Sequence, residues 1–256
     1  MHPILFRLGP IPIHAYGVAI AVGLLIGLFL LRRDARRFGL DPDAIADAAT
    51  VGFIVGLAGA RATYVAMNWD EFASNPIAII AFWRGLSGFV FLGGFIPGLA
   101  VGLAAIKRRG IRPLAAADLA APYVALVLAF GRVGCFMYGC CFGRPTDSPL
   151  GIVFPPGSPA WYAFGNTPVH PTQLYSSANA LVTFAVLYGL TRRRRPEGLI
   201  LGVLCLWYGV FRFLVEFLRG DNPLFRGLTP SQWVAIPLAA AGIWLIMRAR
   251  RRVEAA

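Results

Sequence analysis

The chain has 256 residues, of which 57% are hydrophobic and only 14% charged, and its mean hydropathy is +0.65. Such a composition is too apolar for a soluble domain and describes an integral protein with several membrane crossings. The net charge of +12 would suggest nucleic acid in a soluble chain, but here most of the 24 lysines and arginines fall in four clusters at the ends of apolar runs, so the bilayer accounts for them and nucleic acid is not an expected partner.

About 20 apolar residues make one crossing, and on that measure seven spans are expected. The first, 15–31, ends at Arg32, Arg33, Arg36 and Arg37. The second, 44–67, follows the turn-forming Asp41-Pro42-Asp43 and contains Gly56, Gly59 and Ala60, small enough for close helix approach, with Arg61 near its far end. A short link, 68–84, leads to the third span, 85–106, which closes at Lys107, Arg108, Arg109 and Arg112. Its Gly93, Gly94, Pro97 and Gly98 predict an irregular helix start or a re-entrant piece. The fourth, 114–130, runs into 131–169, expected to be the longest non-helical stretch because it is rich in glycine, proline and aromatic residues. The fifth, 171–190, ends at Arg192 to Arg195; the sixth is 199–218; the seventh, 231–247, ends at Arg248 and Arg250 to Arg252.

The expected fold is therefore an all-α polytopic membrane protein, one integral domain over 1–256. Seven spans put all four basic clusters on one side, which the positive-inside rule makes cytoplasmic. The C-terminus is then cytoplasmic, and the N-terminus and the small 131–169 segment between the fourth and fifth helices lie on the outer face. No basic n-region or small-residue cleavage site precedes the first span, so the chain is expected to stay embedded.

Several polar residues stand out against this apolar background. In the sixth span Tyr208, Arg212 and Glu216 are four residues apart and share one helical face. Ionisable groups at membrane depth are costly unless paired or hydrated, so this stripe is either a functional group facing a cavity or a salt bridge that locks helices together. The segment 130–154 combines Gly131, Gly134, Gly139 and Gly143 with Arg132 and Arg144. Glycine lets backbone approach a ligand and arginine offers a planar fork for phosphate oxygens, while the plainer reading is a tight loop whose arginines reach lipid headgroups. His170 and Gln173, in HPTQLY at 170–175, open the fifth span; His170 is a loop anchor or a general base. His14 and Tyr16 open the first, where tyrosine also suits an aromatic belt. Cys135, Cys140, Cys141 and Cys205 show neither a zinc spacing nor a disulfide framework, although Cys135 with Cys140 or Cys141 is one conceivable outer-face disulfide. Asp47 and Asp118, near inner helix ends, are the only hints of an ion path across the membrane.

Taken in order, Tyr16-Gly17, Gly59-Ala60-Arg61 with Tyr64, Gly93-Gly94, the Gly131-Arg132-x-Gly134-x-Phe136 loop, the HPTQLY block and Tyr208-Gly-x-x-Arg212 with Glu216-Phe-x-Arg219 resemble the prolipoprotein diacylglyceryl transferase family over nearly the whole chain. The resemblance implies transfer of a diacylglyceryl group from phosphatidylglycerol to the lipobox cysteine thiol of a preprolipoprotein, in the bacterial inner membrane, with no metal or cofactor. It implies that Arg132 and Arg212 hold the phosphate, that Glu216 orients Arg212, and that Tyr16 and Tyr208 line the headgroup site. Arg61, Gly93, Gly94 and Gly134 would complete the phosphatidylglycerol site. Where typical members have His-Gly-Gly, this chain has Leu92-Gly93-Gly94, and where they commonly carry Asn after the arginine loop it has Cys135. Leucine accepts no proton, so thiolate formation would fall to His170 or to the positive field of Arg132 and Arg212. The other readings are an altered or inactive homologue that binds phospholipid or precursor, or uses another acceptor, and a small-solute transporter or channel.

Overall fold

The computed structural model describes residues 3–9, 11–79, 90–193 and 195–254. It is mostly helical, and six of its helices are long and apolar enough to cross a membrane. In chain order the elements are strands β1 (Ile4–Leu8) and β2 (Ile11–His14), then helices α1 (Ala15–Ala35), α2 (Pro42–Met67), α3 (Trp69–Ala73), α4 (Phe91–Arg108), α5 (Pro113–Tyr138), α6 (Pro159–Phe164), α7 (Thr172–Thr191), α8 (Leu199–Val215) and α9 (Pro230–Glu254). The remaining expected span, 85–106, begins outside the described residues, as do Arg84 and Arg194; its described part is α4. The helical architecture agrees with the all-α expectation, and beside it β1 and β2 pair antiparallel as a short hairpin. Ile4, Phe6 and Ile13 are β-forming residues, and Gly9 takes the left-handed φ of 59° that turns the chain.

Two compact units make up the chain, Ile4–His14 with Leu28–Ala116, and Met1–Pro3 with Ala15–Gly27 and Ala117–Ala256. In the first unit α2 packs on α4 through glycines. A Cβ on Gly52 would come within 2.9 Å of the Gly98 carbonyl oxygen, and one on Gly56 within 3.2 Å of the Gly94 oxygen. The two backbones meet because no side chain intervenes, the small-residue contact that lipid-embedded helices use in place of a hydrophobic driving force. Asp41 caps α2 by accepting from the Asp43 amide at 2.9 Å, with Pro42 in the first helical position where its missing N–H costs nothing. Asp47 pairs with Arg109 at 3.0 Å.

In the second unit α5 is the central helix: 56% of its apolar window is buried, against 17–28% for α7, α8 and α9. Its neighbours leave Val234, Trp244 and Met247 of α9 and Leu181 and Val182 of α7 exposed, apolar surface that suits lipid. Helix α5 continues to Tyr138, which corrects the expectation that the chain turns irregular at Gly131. Glycine weakens a helix in isolation, but at Gly134 it admits the neighbouring helix: a Cβ there would lie 3.0 Å from the Tyr16 Cα. Packing of α5 on α1 thus overrides the loop-like composition.

Helices α8 and α9 meet through Gly202, Gly209 and Gly242 in the same way. Thr229 and Gln232 cap α9 reciprocally, the Thr229 amide donating to Gln232 Oε1 at 2.9 Å and the Gln232 amide to Thr229 Oγ1 at 3.3 Å. The opposite end of the pair is fixed from α5. The carboxylate of Asp118 accepts from the Gly198 amide at 2.6 Å and the Leu201 amide at 2.7 Å, so it sits on the N-terminus of α8 and answers its dipole. Both acids that hinted at an ion path are therefore engaged, one in a surface ion pair and one as a cap. Replacing Asp118 by Ala is expected to cost about 1–2 kcal/mol through the lost cap, read as a lower unfolding midpoint in detergent, whereas Asp47→Ala, at an exposed pair, shifts it by less than about 1 kcal/mol.

Candidate active site

Arg212 occupies the last turn of α8, and the chain tightens immediately after it into a 3-10 turn, Glu216–Leu218. The four-residue spacing survives this change, and Arg212 Nη2 lies 3.0 Å from Glu216 Oε2, with the glutamate side chain fully buried. Among the described residues that oxygen accepts no hydrogen bond, so the contact is an ion pair rather than a directed bond. Two groups outside the stripe finish the arrangement. Arg212 Nη2 donates to Ser231 Oγ of α9 at 2.7 Å, and Asn222 Nδ2 donates to Glu216 Oε1. A buried carboxylate and guanidinium are tolerable only when both are paired in this manner.

Arg132, Tyr208 and Arg212 line one narrow cleft between α5, α7 and α8, together with Ser176, Asn179 and Thr183. Asn179 is held by the indole of Trp207, which donates to its Oδ1 at 3.0 Å. Arg132 feels the charges or dipoles of Tyr208, Cys135, Cys141 and Arg219, and Tyr16 has Arg132 and the same cysteines as electrostatic neighbours. Of the predicted site residues, Tyr16, Arg132, Gly134, Tyr208, Arg212 and Glu216 are thus gathered around α5 and α8. Gly134 is the contact point for Tyr16.

His170 is placed differently. It lies outside the cleft lining, with its Nδ1 3.3 Å from the Tyr175 hydroxyl, and its backbone is stitched to the loop: Gly143 N donates to His170 O at 2.9 Å and His170 N to Arg144 O at 3.0 Å. Arg61, Gly93 and Gly94 belong to the other unit. Arg61 donates to the carbonyls of Ile79 at 2.9 Å and Ala78 at 2.7 Å and lies over the rings of Tyr64 and Phe72. Gly93 faces Thr63 and Gly94 faces Gly56 and Ala60, contacts of the α2–α4 packing.

Sequence reasoning missed what four supports do, although Arg219 and the HPTQLY block stood among its motifs. Ser231 and Asn222 give no motif signal at all. Arg219 forks onto Asp221 at 2.8 and 2.7 Å; burial pulls its pKa down, but this carboxylate outweighs that and holds it above the usual arginine value. Its carbonyl accepts from Arg144 Nε at 3.0 Å, and Arg144 N donates to Leu218 O at 2.8 Å. The fourth support is the HPTQLY block, whose Thr172 Oγ1 donates to Cys141 O at 2.7 Å and whose fully buried Gln173 donates to Cys140 O at 2.8 Å. These hold the chain after α5 so that the sulfurs of Cys135, Cys140 and Cys141 lie within 4.8 Å of one another, all as free thiols.

A family description, prolipoprotein diacylglyceryl transferase, matches residues 3–248. The chain belongs to the prolipoprotein diacylglyceryl transferase family. It is 36% identical over 251 residues to the phosphatidylglycerol–prolipoprotein diacylglyceryl transferase of Clostridium tetani, covering 96% of each chain. Its identity to the enzyme of the same name from Streptococcus sanguinis is 35% over 257 residues, with 98% of this chain and 96% of the relative covered. To that of Geobacter sulfurreducens it is 33% over 258 residues, with the same coverage. Within this prolipoprotein diacylglyceryl transferase relative, the cleft offers two guanidinium groups and a phenol to an anionic ligand, with Glu216 fixing one guanidinium from behind.

Removing that carboxylate strands Arg212. Glu216→Ala is expected to lower stability by roughly 3 kcal/mol, the cost of an unpaired buried charge, read as a fall in the unfolding midpoint; Glu216→Ala combined with Arg212→Met is expected to recover part of it, because the orphan cation is then gone.

Proposed function

We propose that the protein transfers a diacylglyceryl group from phosphatidylglycerol to the lipobox cysteine thiol of preprolipoproteins at the outer face of the bacterial inner membrane, the first step of lipoprotein maturation. The observation that carries this reading is the convergence of Arg132, Tyr208 and Arg212 on one cleft with Glu216 paired behind Arg212. In the proposed arrangement the chain crosses the membrane seven times, with the N-terminus outside and the basic clusters in the cytoplasm.

Each residue then has a task. Arg132 and Arg212 bind the phosphodiester, whose negative charge grows as the glycerol carbon–oxygen bond breaks. Donors already aimed at that oxygen act in a water-poor site where they are worth far more than in bulk solvent. Glu216 keeps Arg212 from swinging to another anion, and Tyr16 and Tyr208 give the headgroup hydroxyl partners. Arg61, Gly93 and Gly94 act within their own unit, where the two glycines form the α2–α4 packing and Arg61 holds the carbonyls of Ala78 and Ile79. The acceptor must be a thiolate to attack carbon. Leu92 supplies no base for that, and His170 is tied to Tyr175, so the cationic field of Arg132 and Arg212 favours the ionised sulfur.

The reading is tested by expressing the protein in a bacterium depleted of its own transferase and following growth together with the gel shift of a lipobox substrate. Wild-type protein is expected to restore both. Arg132→Ala and Arg212→Ala are each expected to lower transfer by at least about 100-fold, the cost of losing one charge-stabilising donor. Full activity in either variant would remove that residue from the phosphate site, and failure of well-folded wild-type protein in both assays would favour an altered homologue.

A further inference from the structure

The end of α5 holds a group of side chains for which the phosphate site has no use. Cys135 lies on the last turn of the helix, and the chain then reverses through two left-handed residues, Gly139 at φ 84° and Cys141 at φ 61°. Glycine adopts that conformation freely, but for cysteine it costs roughly 1 kcal/mol, so the surroundings must hold it there. They do so from both sides: Gly139 and Cys140 amides donate to Cys135 O at 2.9 and 3.2 Å, while Thr172 and Gln173 donate to the carbonyls of Cys141 and Cys140. The result is three sulfurs converging within 4.8 Å.

We infer that Cys135, Cys140 and Cys141 form a three-thiolate seat for a zinc-class divalent cation, and that its remaining tetrahedral position takes the acceptor's cysteine thiol. Zinc bound by thiolates at about 2.3 Å in tetrahedral geometry needs sulfur–sulfur separations of about 3.8 Å, so a contraction of about 1 Å at most, within side-chain rotation, completes the set. Thiolates are the soft ligands this cation class favours. Only three protein donors are present among the described residues, which is the ligand count of a catalytic rather than a structural zinc site. Cys140 and Cys141 are partly exposed while Cys135 is buried, so the open position faces outward. Three thiolates leave the unit with one net negative charge. Arg132 and Arg219 are both electrostatic neighbours of Cys141 and soften that charge without cancelling it.

This inference rests on the transferase reading and deepens it, for it supplies what Leu92 does not. On entering the fourth position the acceptor thiol gives up its proton to solvent, since a metal-coordinated thiol is deprotonated. Its sulfur electron pair then forms the new bond to the glycerol carbon. The carbon–oxygen bond to the phosphate breaks, and its electrons leave on glycerol phosphate, whose charge meets Arg132 and Arg212. The thioether product is a poor ligand and leaves.

The test uses full-length protein in detergent, reduced, stripped with chelator and titrated with Co2+, whose tetrahedral thiolate complexes are strongly coloured. Expected are stoichiometric binding, sulfur-to-cobalt charge-transfer absorption, and loss of that absorption in Cys135→Ser, Cys140→Ser and Cys141→Ser but not in Cys205→Ser. Gln173→Leu, which frees the Cys140 carbonyl, is expected to weaken binding by about 10-fold or more. A lipobox peptide is expected to perturb the cobalt spectrum, and the same peptide with serine for its cysteine is not. Absence of thiolate-type absorption in reduced wild-type protein, or a disulfide among the three cysteines that yields no cobalt site on reduction, overturns the inference. Undiminished transfer by metal-free protein overturns it too while leaving the transferase reading standing; a cobalt site with peptide response in protein that never transfers lipid supports the seat and contradicts that reading instead.

Discussion

Glu216 is a fully buried carboxylate at the end of an apolar helix, and much of one unit is organised to keep it paired. Left alone such a charge costs several kcal/mol. Arg212 answers one oxygen and Asn222 the other, and Ser231 fixes the far side of Arg212 to α9. The constraint propagates along the backbone. Because Glu216 ends α8 in a tight turn, the chain emerges extended at Arg219, and residues 218–220 pair with Phe142 to Arg144, which in turn pair with His170. The loop that carries the cysteines is thereby tied to the ion pair through main-chain hydrogen bonds, without needing a sheet of its own.

The chemistry proposed for the site follows from an excess of positive charge in a dry place. Arg132, Arg212 and Arg219 are gathered around a cleft whose neighbouring acids are Glu216 and Asp221, each already matched to one guanidinium. Among the described residues Arg132 has no ion pair with a carboxylate, and it lines the cleft beside Tyr208. A phosphodiester restores the balance when it binds, and binding strengthens as charge builds on the departing oxygen.

How much of this could be read from residues alone depends on whether the signal was local. The spacing of Tyr208, Arg212 and Glu216 predicted their shared face because helical periodicity carries over four residues regardless of context. The run of apolar segments predicted six of the spans for a similar reason. The extra turns of α5 were hidden, since Gly131 and Gly134 read as loop residues and only the approach of Tyr16 to Gly134 shows that this glycine serves helix packing. The β1–β2 hairpin was hidden by its shortness. The cysteine cluster was the least legible feature: spacings of five and one do not converge on a helix, and they do so here only because Cys141 adopts a left-handed conformation that Thr172 and Gln173 enforce from another helix. Ser231 and Asn222 are polar residues of a common kind, and nothing but the fold selects them.

The most direct measurement is reconstitution of the purified protein into phosphatidylglycerol vesicles with a synthetic lipobox peptide, following peptide mass and released glycerol phosphate together. The account predicts a peptide heavier by one diacylglyceryl group on its cysteine sulfur, glycerol phosphate released in equal amount, and neither product when Arg212 is replaced by Ala. Unmodified peptide from folded wild-type protein, or the same yield from the Arg212→Ala variant, would contradict it.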